Sequence, residues 1–156
     1  QNTLKDRFLT IGQAKVSTSA VEAFELGYLQ KGKHAITMNR SRLLADAKTK
    51  AIELADAGYV QPIPRSDIKV LGNQGLGIVY VGSDSMRAGK YISDHDKKIS
   101  EKLGYVMCGG DLSAPTEGSE QYLLDLERKA FLELCAERKT LERIQHMLTK
   151  GKPLRN

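Results

Sequence analysis

Apolar residues fall at helical spacing along most of the chain. Leu4, Phe8, Leu9 and Ile11 form the first such set, which ends near Gly12. Ser19-Ala-Val-Glu22 has the form of a capping box, with a serine hydroxyl accepting from a free N–H and a glutamate answering three residues on. A short helix with Val21, Phe24 and Leu26 follows, and Gly27 is a natural stop. Residues 35–38 predict a brief extended segment. From Asn39 or Ser41 onward, Leu43, Leu44, Ala47, Ala51, Leu54 and Ala55 draw one stripe along a longer helix. Gly58 closes it, and Pro62 and Pro64 keep the next stretch out of helix.

The region 67–89 supports two readings. Ile68-Lys-Val70 and residues 78–81 look like strands by composition. Leu76, Val79, Tyr80 and Met86 also line one helix face, and the glycines at 72, 75, 77 and 82 weaken both readings. Ser93 caps the next helix, with Asp94 and Asp96 in a first turn whose dipole favours anions. Ile99, Leu103, Val106 and Met107 are its inner stripe, and Gly109-Gly110 ends it. A last helical stretch runs from about Glu117 to Lys150, with a break near residues 137–139. Leu123, Leu124, Phe131, Leu134 and Cys135 lead along it to Leu141, Ile144 and Leu148. The pattern predicts a mainly α fold of five or six helices with little strand, and no internal repeat.

The length of 156 residues suits one ordinary domain. With 40% hydrophobic and 28% charged residues, the chain is neither collagen-like nor a disordered charge block. No apolar run approaches the ~18–20 residues that span a bilayer, and the first thirty positions lack a signal peptide's layout. Cys108 and Cys135 are too few for a disulfide scaffold or a four-cysteine zinc site, so a reducing cytoplasm is the expected setting. The net charge of +5 gathers late: from Glu127 to Asn156, eight basic residues stand against four acids. Their alternation with glutamates predicts a solvated helix face. The alternative is a small basic helical module that binds nucleic acid or another protein. Sparse aromatics count against nucleic acid.

Candidate chemistry is thin. Gly72-Asn-Gln-Gly75-Leu-Gly77 invites a phosphate cradle, but Ile78 stands where a P-loop needs its lysine, and no G-x-G-x-x-G is present. A turn or close-packing role is expected instead. Asp94-His95-Asp96 carries side chains fit for metal or acid–base work, yet residues two apart on a helix face different directions, so capping is expected. His34 and His146 are isolated and expected at the surface. Cys108 and Cys135 have apolar helical neighbours and are expected to be buried structural thiols. No catalytic residue and no metal ligand is predicted. The basic cluster Lys31, Lys33, His34, Arg40 and Arg42 flanks the extended segment and opens a helix; a solvated loop is the expectation, with phosphates on the helix's free N–H groups as the alternative.

Residues 18–29, Thr-Ser-Ala-Val-Glu-Ala-Phe-Glu-Leu-Gly-Tyr-Leu, resemble the S-A-x-E-A-x-x-x-G segment of the crotonase (enoyl-CoA hydratase/isomerase) superfamily. The stretches 43–59, 89–96, 109–112, 119–127 and the closing Gly-Lys-Pro-Leu-Arg-Asn are similar to the bacterial fused 3-hydroxyacyl-CoA dehydrogenase/enoyl-CoA hydratases of fatty-acid β-oxidation. The resemblance runs from about Leu9 to Asn156. It implies the helical C-terminal portion of a crotonase-like domain, with residues 1–58 as the crotonase-like segment and 59–156 as a helical extension packed with it. It also favours helix for residues 74–89. It implies a parent that uses NAD in an upstream domain, oxidises 3-hydroxyacyl-CoA and carries a hydratase-like part. The family's oxyanion-hole glycines, catalytic carboxylates and Rossmann glycines would all precede Gln1, a start without methionine that fits a piece of a longer protein. What this chain would contribute is cover for the acyl-CoA site and self-association into a homo-oligomer. Lys31, Lys33, Arg40 and Arg42 are the candidates for the CoA phosphates.

Overall fold

The computed structural model describes residues 2–156; Gln1, where the chain opens without methionine, lies outside them. The elements in order are α1 (Asn2–Gly12), α2 (Ala20–Glu25), one 3-10 turn (Arg40–Arg42), α3 (Leu43–Asp56), β1 (Ile68–Val70), α4 (Asn73–Ala88), α5 (Asp94–Met107), β2 (Thr116–Gly118), α6 (Glu120–Cys135) and α7 (Arg138–Lys150). The fold is mainly α, with a single two-stranded sheet among the described residues. The chain divides into two compact units. One joins the stretch through Gln13 to Pro64–Asn156, and the other is Ala14–Ile63.

Among the described residues the helices number seven, against the five or six expected. The last stretch splits at Ala136 and Glu137, and residues 73–88 form one helix throughout. Of the two readings of residues 78–81, the helical one, which the resemblance also favoured, is the one that forms. Burial gives the reason: Gly75, Leu76, Val79 and Ser83 are the buried positions of α4, a helical spacing, while Ile78 is 47% and Val81 69% exposed. The strand expected at 68–70 does form. It pairs antiparallel with β2, placing Lys69 opposite Glu117. That pairing takes 116–118 out of the helix expected from Glu117, so α6 begins at Glu120 under the Ser119 cap.

In the larger unit, α5 is the central element, with α1, α4 and α6 packed on it and α7 packed on α6. The core comprises Val70, Leu76, Val79, Cys108 and Ala130. Burying a side chain such as Leu76 or Val79 contributes about 1.5–3 kcal/mol. Helices α4 and α5 approach closely because Gly104 has no side chain: a Cβ there would lie 2.5 Å from Val79 Cγ1. Ionic contacts add to the clamp. Lys97 of α5 reaches Asp84 of α4 at 3.2 Å, Lys102 pairs with Glu133 of α6, and Lys98 pairs with Glu137 before α7.

In the smaller unit, Ser19 caps α2 as expected, its hydroxyl accepting from the Glu22 N–H at 3.1 Å. The glutamate does not answer Ser19. Its carboxylate accepts from both the N–H and the hydroxyl of Thr18, at 2.6 Å each. Asn39 caps the 3-10 turn by accepting from the Ser41 N–H at 3.0 Å. The stripe on α3 has no cover within this unit. The helix contains no buried residue, and Leu44 is 84% exposed.

Candidate functional site

The predicted phosphate-binding cluster belongs to the smaller unit. Lys31 and Lys33 lie in the turn before the irregular segment 34–37, and Arg40 and Arg42 lie in the 3-10 turn that leads into α3. All four side chains belong to exposed residues. Arg42 pairs with Asp46 at 3.0 Å along the helix. His34 is exposed as expected, and its Nδ1 accepts from the Gln30 N–H at 3.0 Å. The site is thus open to solvent, with Asn39 already occupying one of the helix-entry N–H groups.

A second basic site, which the sequence does not announce, lies in the larger unit where α4 passes into α5. Arg87, Lys90 and Tyr91 come from this corner, Ser93, Asp94 and Asp96 from the start of α5, Lys139 from α7, and Arg155 and Asn156 from the tail. Together they surround an open cavity of about 700 Å³. Ser93 and Asp96 form a reciprocal capping box, with N–H···O distances of 3.1 and 3.0 Å. Burial works against the Asp96 charge, but hydrogen bonds from Ser93 and from Arg143, the latter at 2.7 Å, outweigh it and hold the carboxyl below its ordinary range. The hydrogen bond and charge of Arg87 lower the Asp94 carboxyl likewise.

The central residue of Asp94-His95-Asp96 turns away from both carboxylates. His95 is 4% exposed, and its Nε2 lies 2.9 Å from the Thr140 hydroxyl of α7. The two aspartates serve the helix start, as expected. Among the described residues no three histidine, cysteine or acidic side chains gather as a metal site. Cys108 is fully buried, and burial raises its thiol pKa, which suits packing rather than nucleophilic chemistry. Cys135, also expected to be buried, is only half-buried at the end of α6.

The glycine stretch 72–77 is a packing device. Gly72 has φ +54, and a Cβ there would lie 2.4 Å from the Leu112 carbonyl oxygen; at Gly75 it would lie 2.6 Å from Cys108 Sγ. The N–H groups of Gly72 and Asn73 are spent on the carbonyls of Cys108 and Leu112, both at 2.8 Å. A dinucleotide therefore does not fit this stretch. Part of the basic tail is paired: Arg128 with Asp125, Arg138 with Glu142, and Arg143 with Asp96. No helix among the described residues is long and apolar enough to cross a membrane.

No family model matches the chain, and no solved structure does. A curated protein of Bacillus subtilis (strain 168), named "Probable 3-hydroxyacyl-CoA dehydrogenase", is 46% identical over 155 residues. The alignment covers 99% of this chain and 19% of that protein, so the chain spans about a fifth of the length of the relative.

Proposed function

We propose that this chain is the helical C-terminal portion of a longer enzyme of fatty-acid β-oxidation, and that its own work is structural. The longer protein oxidises 3-hydroxyacyl-CoA with NAD, bound outside these 156 residues, and carries a crotonase-like hydratase part. Here the crotonase-like segment is 1–58 and the helical extension 59–156, and both serve to cover the acyl-CoA site and to hold copies of the protein together in the cytoplasm. The 46% identical match of 99% of this chain to about a fifth of a much longer protein named as a probable 3-hydroxyacyl-CoA dehydrogenase carries this reading. The glycine stretch packed against Leu112 and Cys108 agrees with it, since it leaves dinucleotide binding to other residues.

The decisive test is the coding DNA upstream of Gln1. The expected result is an open frame with a glycine-rich crotonase segment and, farther off, a strand followed by G-x-G-x-x-G. A start codon directly before Gln1 would sink the reading. Lys31, Lys33, Arg40 and Arg42 are the proposed contacts to the CoA phosphates. R40Q/R42Q should weaken CoA binding several-fold with little change in melting temperature, because the Arg42–Asp46 pair is exposed and contributes only about 0.3–0.5 kcal/mol. Unchanged CoA affinity would remove these residues from the site.

A further inference from the structure

We infer that the cavity between the α4–α5 corner and the tail binds the phosphate group of a small anionic ligand. The inference is independent of the reading above. Arg87, Lys90, Lys139 and Arg155 line the cavity against two carboxylates, Asp94 and Asp96. Both acids are already engaged. Asp94 accepts from Arg87, and Asp96 accepts from the Ser93 N–H at 3.0 Å and from Arg143 at 2.7 Å. Arg155 stands 3.8 Å from Asp96 with its side chain 74% exposed, too far for a hydrogen bond. Lys90 and Lys139 have no ion-pair partner among the described residues. Lys90 and Lys139 thus share one recess with Arg155, whose acidic neighbour Asp96 is already engaged by Ser93 and Arg143. Such a cluster repels itself and raises the local concentration of anions, more so between low-dielectric walls.

The recess is also built rather than incidental. Lys90 has φ +61, a left-handed conformation that costs a side-chain-bearing residue about 1–2 kcal/mol. That turn sets Lys90 and Tyr91 into the cavity lining. On the opposite wall the tail is fixed. The Arg143 guanidinium donates to the Asn156 side-chain oxygen at 2.8 Å, and the Asn156 amide donates to Glu142 at 2.9 Å. A fixed wall lowers the ordering cost of binding. A phosphate brings about two negative charges and three acceptor oxygens to such a cluster, more than the single charge of a carboxylate. Tyr91, 80% exposed, offers a ring face for stacking if the phosphate is carried on a nucleoside.

The test is a titration of the chain at low ionic strength with inorganic phosphate and, in parallel, with adenosine monophosphate, followed through the backbone amide resonances. Saturable shifts are expected across residues 90–96 and at Lys139. K90Q/K139Q should weaken phosphate binding roughly tenfold or more, and R155Q should weaken it alone. K48Q/K129Q, which removes equal charge elsewhere, should bind as the unaltered chain does. Equal affinity for both ligands assigns free phosphate. Tighter nucleotide binding that is lost in Tyr91→Ala assigns a nucleotide. A response that never saturates overturns the inference, as does full affinity in both K90Q/K139Q and R155Q.

Discussion

His95 is buried on α5 against α7, and its surroundings disfavour the charged imidazole. Burial lowers its pKa first, then the positive charge of Arg143, with Lys139 and Lys98 adding to it; Glu137 opposes them. The folded value is thus below the ordinary 6.5. The unfolded chain binds a proton at His95 more readily than the folded one, so this contribution to stability is complete above about pH 6.5. It declines as the pH falls from there through the folded value. Urea unfolding at pH 7.5 and pH 5.5 should show a loss on acidification that is smaller in His95→Gln. An equal loss in both proteins would clear His95 of the effect. Thr140→Val keeps the shape and removes the hydroxyl, leaving a buried ring nitrogen unpaired, and should cost about 1–3 kcal/mol at pH 7.5.

Between elements, two glycines of the α4–α5 pair should respond oppositely to alanine. At Gly104 the new methyl would meet three atoms of Val79 at 2.5, 3.0 and 3.0 Å. Val79 is buried and stiff at its first torsion, so it cannot swing aside. Overpacking of about 1–3 kcal/mol exceeds the ~1 kcal/mol that alanine returns as a better helix former. Gly104→Ala should therefore lower the denaturation midpoint. Gly77, inside α4 with nothing within 4 Å of a Cβ, should raise the midpoint on the same change, through about 0.5–1 kcal/mol of added stability. Reversed signs would mean that α4 does not pack on α5 through Gly104. The elements themselves were mostly legible in the sequence. Ser19, Ser93 and the stripes of α1, α3 and α5 act locally, and local signals announce them. Residues 78–81 read two ways because β-branched and aromatic composition is shared by strands and by a helix whose narrow buried face is set by its partner. The start of α6 was displaced because β1, far upstream in the sequence, claims 116–118 by pairing, Ile68 with Gly118.

For the whole molecule, burial is unevenly divided. Between residues 14 and 63 only Ala23 is buried, whereas the larger unit holds the remaining buried residues among those described. Amide hydrogen exchange should run fastest in α3 and slowest in α4 and α5. Slow exchange in α3 that sets in as the protein is concentrated would show its apolar stripe covered by another copy. The cavity's cations were invisible in sequence for a reason of scale: Lys90, Lys139 and Arg155 meet only when α5, α7 and the tail are packed, and no spacing along the chain encodes that meeting. The exposed cluster at 31–42 was legible because it is nearly contiguous. One buried feature has a practical side. Cys108 lies wholly inside the α4–α5 core, while Cys135 near the end of α6 is half-buried. The two thiols make the protein its own chemical clock: an alkylating reagent marks Cys135 early, and the later mass increment at Cys108 times each opening of the core without any introduced label.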